Sequence, residues 1–536
     1  MTALPNQVAA SPVNTPAAAA SDVLRVEFRR NLGQISRHSL VFFAGTLFTM
    51  GAGYLVKIYV ARVLGAEQLG LYALGMTLVS LTQLLGTIGL NGTAARYVAV
   101  YKATGKFEDL RGFLTRSSGL VIFLNLIFSI VLAFGGGLIA RRIYRAQGLG
   151  QYMPMFAVLA FVGALNVFYC QVLGGFKDIA KRTIITNFVG SSLVIVLTVL
   201  LLALGTGMRG YLAAQMVTSI VVVGLLVAAA RGLTPQAARF SWKALPPLDS
   251  EIKAFAVAAF GMSALDFLVS QADKILLGHY LNASLVGIYV LASTLSAFIP
   301  IILQSVNQIF APVIADLHAQ SREDVLQKLF QTLTKWIVAL TFPLALVIIV
   351  FAVPLMRIFG PEFEAGWPVL VIGAIGQLVN CGVGSVGYLL LMSGNQRRLI
   401  KVQFVMAGVS VVVNIALIPV LGIVGAALAS AGINAAGNLW NLAEVRKALG
   451  ISPYNRSYYA LLFPGIFTAV AMVLVRSYVA SFLHPWLVIM LALVLSYAVF
   501  CTLAGSYSLS PDDRMIARSA WSQLRGGLQT WGGVKP

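Results

Sequence analysis

Fourteen stretches of about 20 mostly apolar residues follow one another along this chain, each long enough to cross a bilayer as a helix. They run 39–61, 69–91, 118–140, 153–174, 184–205, 210–230, 254–276, 286–310, 336–356, 367–392, 402–421, 423–443, 458–476 and 485–505. Lipid offers no water to the backbone, so such stretches must satisfy their N–H and C=O groups internally, as helices do. Of the 536 residues 59% are hydrophobic and only 10% charged, far below the roughly quarter share of soluble domains. The fold class read from this is an all-α integral membrane protein with fourteen transmembrane helices. Turns as short as Gly205–Gly210 and Leu421–Ile423 join only antiparallel neighbours, which makes those pairs helical hairpins.

The series is written twice. The stretch from Lys57 to Leu78, KIYVARVLGAEQLGLYALGMTL, returns from Lys274 to Leu295 as KILLGHYLNASLVGIYVLASTL. Without a gap the two agree at nine of 22 positions, where chance gives roughly two. The identities are Lys57/Lys274, Ile58/Ile275, Leu64/Leu281, Ala66/Ala283, Gly70/Gly287, Tyr72/Tyr289, Leu74/Leu291, Thr77/Thr294 and Leu78/Leu295. Lys181-Arg182 answers to Arg397-Arg398, and Gly210 to Gly425, at offsets of 216 and 215. Six helices separate the copies, an even number, so both units enter the membrane the same way round. The expectation is two six-helix lobes forming a parallel internal repeat about an axis along the membrane normal, plus two C-terminal helices.

Basic residues give an orientation. Of 38 Lys and Arg, 29 fall on one side of the fourteen-helix frame, which the positive-inside rule makes cytoplasmic, with both termini there. The cluster Arg141, Arg142 and Arg145 runs against the rule. The domain plan is then a cytoplasmic tail (1–37), a first lobe (38–230), a cytoplasmic linker (231–253), a second lobe (254–445), helices 13 and 14 (446–506) and a cytoplasmic tail (507–536). Residues 1–20 lack a charged n-region and an apolar h-region, so they read as a disordered tail and not a signal peptide. Residues 22–37 place Leu24, Phe28, Leu32 and Ile35 at helical spacing among arginines, the pattern of an amphipathic helix on an anionic leaflet; a solvated linker is the alternative.

A net charge of +20 invites a nucleic-acid partner, but the charge is dispersed over many short loops, so no nucleic acid is expected. Cys170, Cys381 and Cys501 are too far apart for a disulfide framework or a metal site, and the expectation is no metal and no cofactor. His38, His279, His318 and His484 are scattered, with no nucleophile–base constellation beside them. The connections on the non-cytoplasmic side are short and carry few acids, which counts against a membrane-embedded polysaccharide polymerase or glycosyltransferase.

Residues 38–445 resemble the multidrug/oligosaccharidyl-lipid/polysaccharide exporter superfamily, and within it the Wzx-type polysaccharide and O-antigen flippases. The resemblance rests on ARVLGAEQLGLYAL, IGLNGTAARYVAVY, QADKILLGHYLNASLVGIYVLAS, FGPEFEAGWPVLVIGA and LMSGNQRR, in that order. It implies a transporter, not an enzyme, in a bacterial inner membrane. The cargo implied is an undecaprenyl-diphosphate-linked oligosaccharide, moved to the outer leaflet by alternating access, with polymerase and glycosyltransferase machinery as partners. A multidrug/cation antiporter of the same superfamily is the alternative; such exporters often carry an acid in their first helix, and 39–61 has none. Lipid II flippases begin with arginine-dense helices, whereas here Lys57 is the lone charge within 39–61.

A diphosphate crossing a membrane calls for fixed positive charge in a wet groove between the lobes. Lys57 and Lys274 hold matching places and either face that cleft or snorkel to headgroups. Arg62, in the turn, reads first as an interfacial anchor, with the uncharged His279 as its counterpart. Arg96 either meets the diphosphate at the cytoplasmic mouth or is a positive-inside anchor. Asp266 and Asp273 share one helix face with Ser270 between them; the matching residues of the first copy are Thr49, Val56 and Gly53. These carboxylates are candidates for proton or sodium coupling; Asp273 offsetting Lys274 or a lysine of the other lobe is the alternative. Amide stripes at Gln304, Asn307 and Gln308, at Gln377 and Asn380, and at Asn434, Asn438 and Asn441 suit either sugar hydroxyls in a wet second-lobe cavity or interhelical bonds. The Gly/Ala-rich run 425–437 reads as a packing surface.

Overall fold

The computed structural model describes residues 16–235, 249–478 and 485–507, with backbone alone for residues 16–50. Expectations for the N-terminal tail, the amphipathic face of 22–37, the centre of the linker and the C-terminal tail therefore fall wholly or partly outside the described residues. Within them the chain is helical, and no strand occurs.

The first half holds α1 (Pro16–Thr87), α2 (Leu90–Thr104), α3 (Phe107–Arg142), α4 (Met153–Gly175), α5 (Ile179–Thr183), α6 (Ser191–Ala203) and α7 (Gly207–Leu233). The second half holds α8 (Ser250–Tyr280), α9 (Ala283–Ser296), α10 (Ile301–Ala319), α11 (Glu323–Val350), α12 (Ala352–Arg357), α13 (Trp367–Val383), α14 (Val386–Met392) and α15 (Gln396–Leu449). Three more follow: α16 (Arg456–Tyr459), α17 (Leu462–Tyr478) and α18 (Pro485–Tyr507). Among the described residues eleven helices are long and apolar enough to cross a membrane. A twelfth is added if α9 and the start of α10, bent by 52°, count as one span.

Several predicted spans differ from the observed helices for local reasons. The region 92–117, predicted as a loop, is mostly helix: α2 ends at the left-handed Gly105 and α3 starts at Phe107. The stretch 286–310 is interrupted at Ala297–Pro300, where proline withholds a donor from the ladder. The stretch 367–392 breaks at Gly384 and Ser385, and 184–205 contains one π-helical segment, Ile184–Gly190. Arg141 and Arg142 sit in the last turn of α3, where the helix dipole favours cations, a reason for their place that is independent of topology.

Two long helices are broken by one glycine each, Gly65 (φ 76°, ψ 172°) and Gly422 (φ 60°, ψ −135°), values that side chains resist. At Gly422 the chain folds back on itself: a Cβ on Gly437 would stand 3.4 Å from Cγ of Met406, although these residues lie on opposite arms of α15. The largest core cluster joins α1, α4, α9 and α13 and so spans both halves. A second, around Leu90, Tyr97, Phe113 and Leu226, takes in Ile252 and Ala256 of α8. Helices α17 and α18 pack on α11 through Val347, Met472 and Ala492.

Candidate functional site

Two features could act on a cargo: a seam where the halves touch, and a cavity within the second half. The seam is built by the repeated stretch itself. A Cβ on Gly70 would overlap the carbonyl of Ala283, and one on Gly287 would overlap that of Ala66. Both pairs are repeat identities, so each small residue receives the backbone of the other copy's turn. Such close approach is how helices adhere in lipid, where apolar burial between them gains little.

The flanking contacts are duplicated as well. Arg62 donates from Nε to the Ile358 carbonyl at 2.8 Å. His279, in the matching position, donates from Nδ1 to the Ile143 carbonyl at 2.8 Å, which selects the tautomer protonated there. The acceptors lie in Arg142-Ile143-Tyr144 and Arg357-Ile358-Phe359, at an offset of 215. Glu362 also accepts the Ala66 N–H at 2.9 Å, capping the helix that restarts after Gly65. From Ala66 to Thr87 that helix extends about 33 Å, a bilayer's hydrocarbon thickness, so Arg96 belongs to the opposite end. There Arg96 faces Glu251 at 3.7 Å and lies over the Phe255 ring at 4.7 Å, while Tyr97 donates to Glu251 at 3.0 Å. Desolvation, then the Glu251 carboxylate, pushes the Tyr97 hydroxyl up from its ordinary value, so it remains a donor at neutral pH.

The cavity, of about 600 Å³, lies among α8, α9, α13 and α15. From α8 it takes Asp266, Ser270 and Asp273; from α9, Tyr289, Ser293 and Ser296; from α13, Gln377. The two arms of α15 add Gln403 and Ser410, then Ser430, Asn434, Asn438 and Asn441. Among the described residues that line it there is no Lys, Arg or His. Asp273 is 8% exposed, and its Oδ2 accepts the Tyr289 hydroxyl at 2.5 Å and the Ser430 hydroxyl at 3.3 Å. Its Oδ1 accepts the Lys274 backbone N–H at 2.7 Å. Asn438 donates to the Asn434 carbonyl at 2.9 Å and to its Oδ1 at 2.7 Å.

Asp266, Asp273 and Asn438 are thus the predicted site residues brought together. Lys274 is turned away, donating to the Ser270 carbonyl at 2.8 Å and Gln271 Oε1 at 3.0 Å, so its ammonium is not the partner of Asp273. Lys57 is exposed, its Nζ 5.3 Å from the Tyr54 ring centroid. Asn380 stands one step behind the wall, donating to Gln377 at 3.2 Å. Gln304 and Asn307 on α10 do not line this cavity; Gln304 is exposed and Asn307 buried. The expected groove shared by both lobes and lined with lysines is therefore not the cavity seen here, which belongs to one half. The run 425–437 does more than pack, since Ala427, Ser430 and Ala431 line the cavity while Gly425 closes on Leu417. Tyr289 and Ser430 were not singled out as site residues from sequence; Tyr72/Tyr289 as an identity was the available signal.

Residues 59–365 match the family model described as "Polysaccharide biosynthesis protein". The chain belongs to that family. It is also similar to AglR of Haloferax volcanii, named a probable flippase, with 24% identity over 438 residues, 79% of this chain and 86% of the relative. The succinoglycan biosynthesis transport protein ExoT of Rhizobium meliloti is 23% identical over 343 residues, covering 61% of this chain and 63% of that one. A lipid II flippase, MurJ, in an inward closed conformation shares the fold with a TM-score of 0.68 at 13% identity, covering 87% of this chain and 99% of that one. Family and fold agree with the exporter resemblance carried by ARVLGAEQLGLYAL and the phrases after it.

Proposed function

We propose that this chain flips undecaprenyl-diphosphate-linked oligosaccharides from the cytoplasmic to the outer leaflet of a bacterial inner membrane, by alternating access, for surface or exported polysaccharide. The observation that carries this is the seam. Two halves that meet through the same contacts written twice can part there as a unit, and the Arg96–Glu251 end can serve as the opposite gate. In this reading each arm of the helices broken at Gly65 and Gly422 is its own span and the bent pair is one, so that fourteen spans make two six-helix lobes and two further helices; the breaks at the two glycines support it. Both termini are then cytoplasmic, the seam is the outer gate, and glycosyltransferases supply the cargo that a polymerase consumes.

In this reading Lys57, Lys274, Arg62 and Arg96 attract the diphosphate, each from the wall or mouth of the passage between the halves. Asn438 contacts sugar, with Asn380 positioning Gln377 from behind, and Asp273, clasped by Tyr289 and Ser430, exchanges a proton or sodium ion as the halves move. Deleting the gene and fractionating the lipids tests the reading. It predicts accumulation of lipid-linked oligosaccharide on the inner leaflet; an unchanged glycan profile with new drug sensitivity would contradict it.

A further inference from the structure

We infer that the second-half cavity is a sugar subsite selective for neutral, hydroxyl- or acetamido-bearing residues and closed to acidic sugars. The inference rests on the flippase reading and adds the class of glycan to it. Three observations carry it. First, about 600 Å³ is the size of a site for a small organic ligand, far more than one ion fills. Second, the lining offers five amides, from Gln377, Gln403, Asn434, Asn438 and Asn441, together with serine hydroxyls. Amides and hydroxyls both donate and accept, which matches sugar hydroxyls and acetamido groups. Third, the charge is of one sign only: Asp266 and Asp273 line the cavity, with no basic side chain among its described lining residues.

The two carboxylates divide the work. Asp266 is exposed and sits near the midpoint of the 31-residue α8, and a carboxylate at mid-membrane depth requires a water-filled space in front of it. Asp273 lies seven residues further, about 10 Å along the helix, at the buried base. A sugar entering from solvent meets the exposed Asp266 before the buried Asp273. A uronic acid there would set like charges a few ångströms apart, which lowers affinity by about tenfold or more even at the dielectric of a wet cleft. The diphosphate is repelled in the same way and stays with the basic residues outside the cavity. The head of the cargo is therefore split, with phosphate on one side and sugar on the other.

The test uses the full chain in proteoliposomes with two tagged probes, a polyprenyl diphosphate bearing N-acetylglucosamine and the same lipid bearing glucuronic acid. Binding is read by native mass spectrometry and translocation by loss of tag accessibility. Wild type should prefer the neutral probe by tenfold or more in both. Asp266→Asn should narrow the ratio below about threefold by raising uptake of the acidic probe, whereas a pure coupling role would slow both probes equally. Should that variant fail to insert, Gln403→Lys, which adds a cation to the wall, should shift the ratio the same way. Equal handling of both probes by wild type overturns the inference and leaves the flippase reading standing. Absence of both binding and translocation with either probe defeats the flippase reading, and the subsite with it.

Discussion

In the first half of the chain Tyr72 lies against Tyr211, ring centroids 4.9 Å apart. At the matching place in the second half Tyr289 donates instead to Asp273, with Ser430 beside it. Val56 stands where Asp273 does, and Gln215 where Ser430 does. At the seam the copies are alike: Gly70 and Gly287, Ala66 and Ala283, Arg62 and His279 each make the contact their counterpart makes. The repeat has kept the contacts by which each half meets the other and has diverged at the described positions that surround the second-half cavity. Under the proposed function the duplicated seam is the gate, and the second-half cavity is where one lobe responds to the cargo or the coupling ion.

The largest effect that can break this comparison comes from the glycines. Gly70→Val and Gly287→Val each drive a side chain into a backbone carbonyl, and transport should fall roughly ten- to a hundredfold for both at normal membrane levels. Gly92→Ala, whose Cβ would sit an ordinary 3.7 Å from Ala259, is the matched control. A loss confined to one glycine would mean the seam is not symmetric in use. Next is Asp273→Ala, which removes the carboxylate acceptor of the buried Tyr289 hydroxyl and should cost about 1–3 kcal/mol in thermal or denaturant stability. Asp273→Asn should spare that stability but remove any dependence of export on pH or sodium, as Tyr72→Phe in the other half should not.

Smaller effects sharpen the picture. Arg62→Ala and His279→Ala each delete one clasp, worth about 0.5–1.5 kcal/mol, and should shift the gate toward its open form by similar factors in a cysteine-accessibility assay. The arginine bond is charge-assisted, so any difference should favour Arg62 as the stronger. Arg96→Ala is expected to be mildest, under about 1 kcal/mol, because its pair with Glu251 is exposed at both ends (51% and 73%).

Much of this was legible in the chain. Apolar run length revealed the helices, and the nine identities located the turns that meet at the seam. The stripe Asn434, Asn438 and Asn441 on α15 lies along the wall of the second-half cavity. The seam contacts were not legible, because bonds such as Arg62 to Ile358 span 296 residues and leave no local pattern. Ser430 hid in an alanine- and glycine-rich run that also packs closely, and composition cannot separate those roles. Lys274 beside Asp273 suggested an ion pair, yet consecutive residues on a helix point in different directions, and the lysine turns back to Ser270.

The central claim is that the seam opens while the cargo moves. Spin labels at Glu67→Cys and Ala365→Cys, both exposed and on opposite sides of it, with the exposed Cys501 replaced by serine, report its width by double electron–electron resonance. The account predicts a short distance without cargo and a second, longer one when lipid-linked oligosaccharide is present and being flipped. A single unchanged distance under conditions of measured flipping would contradict it.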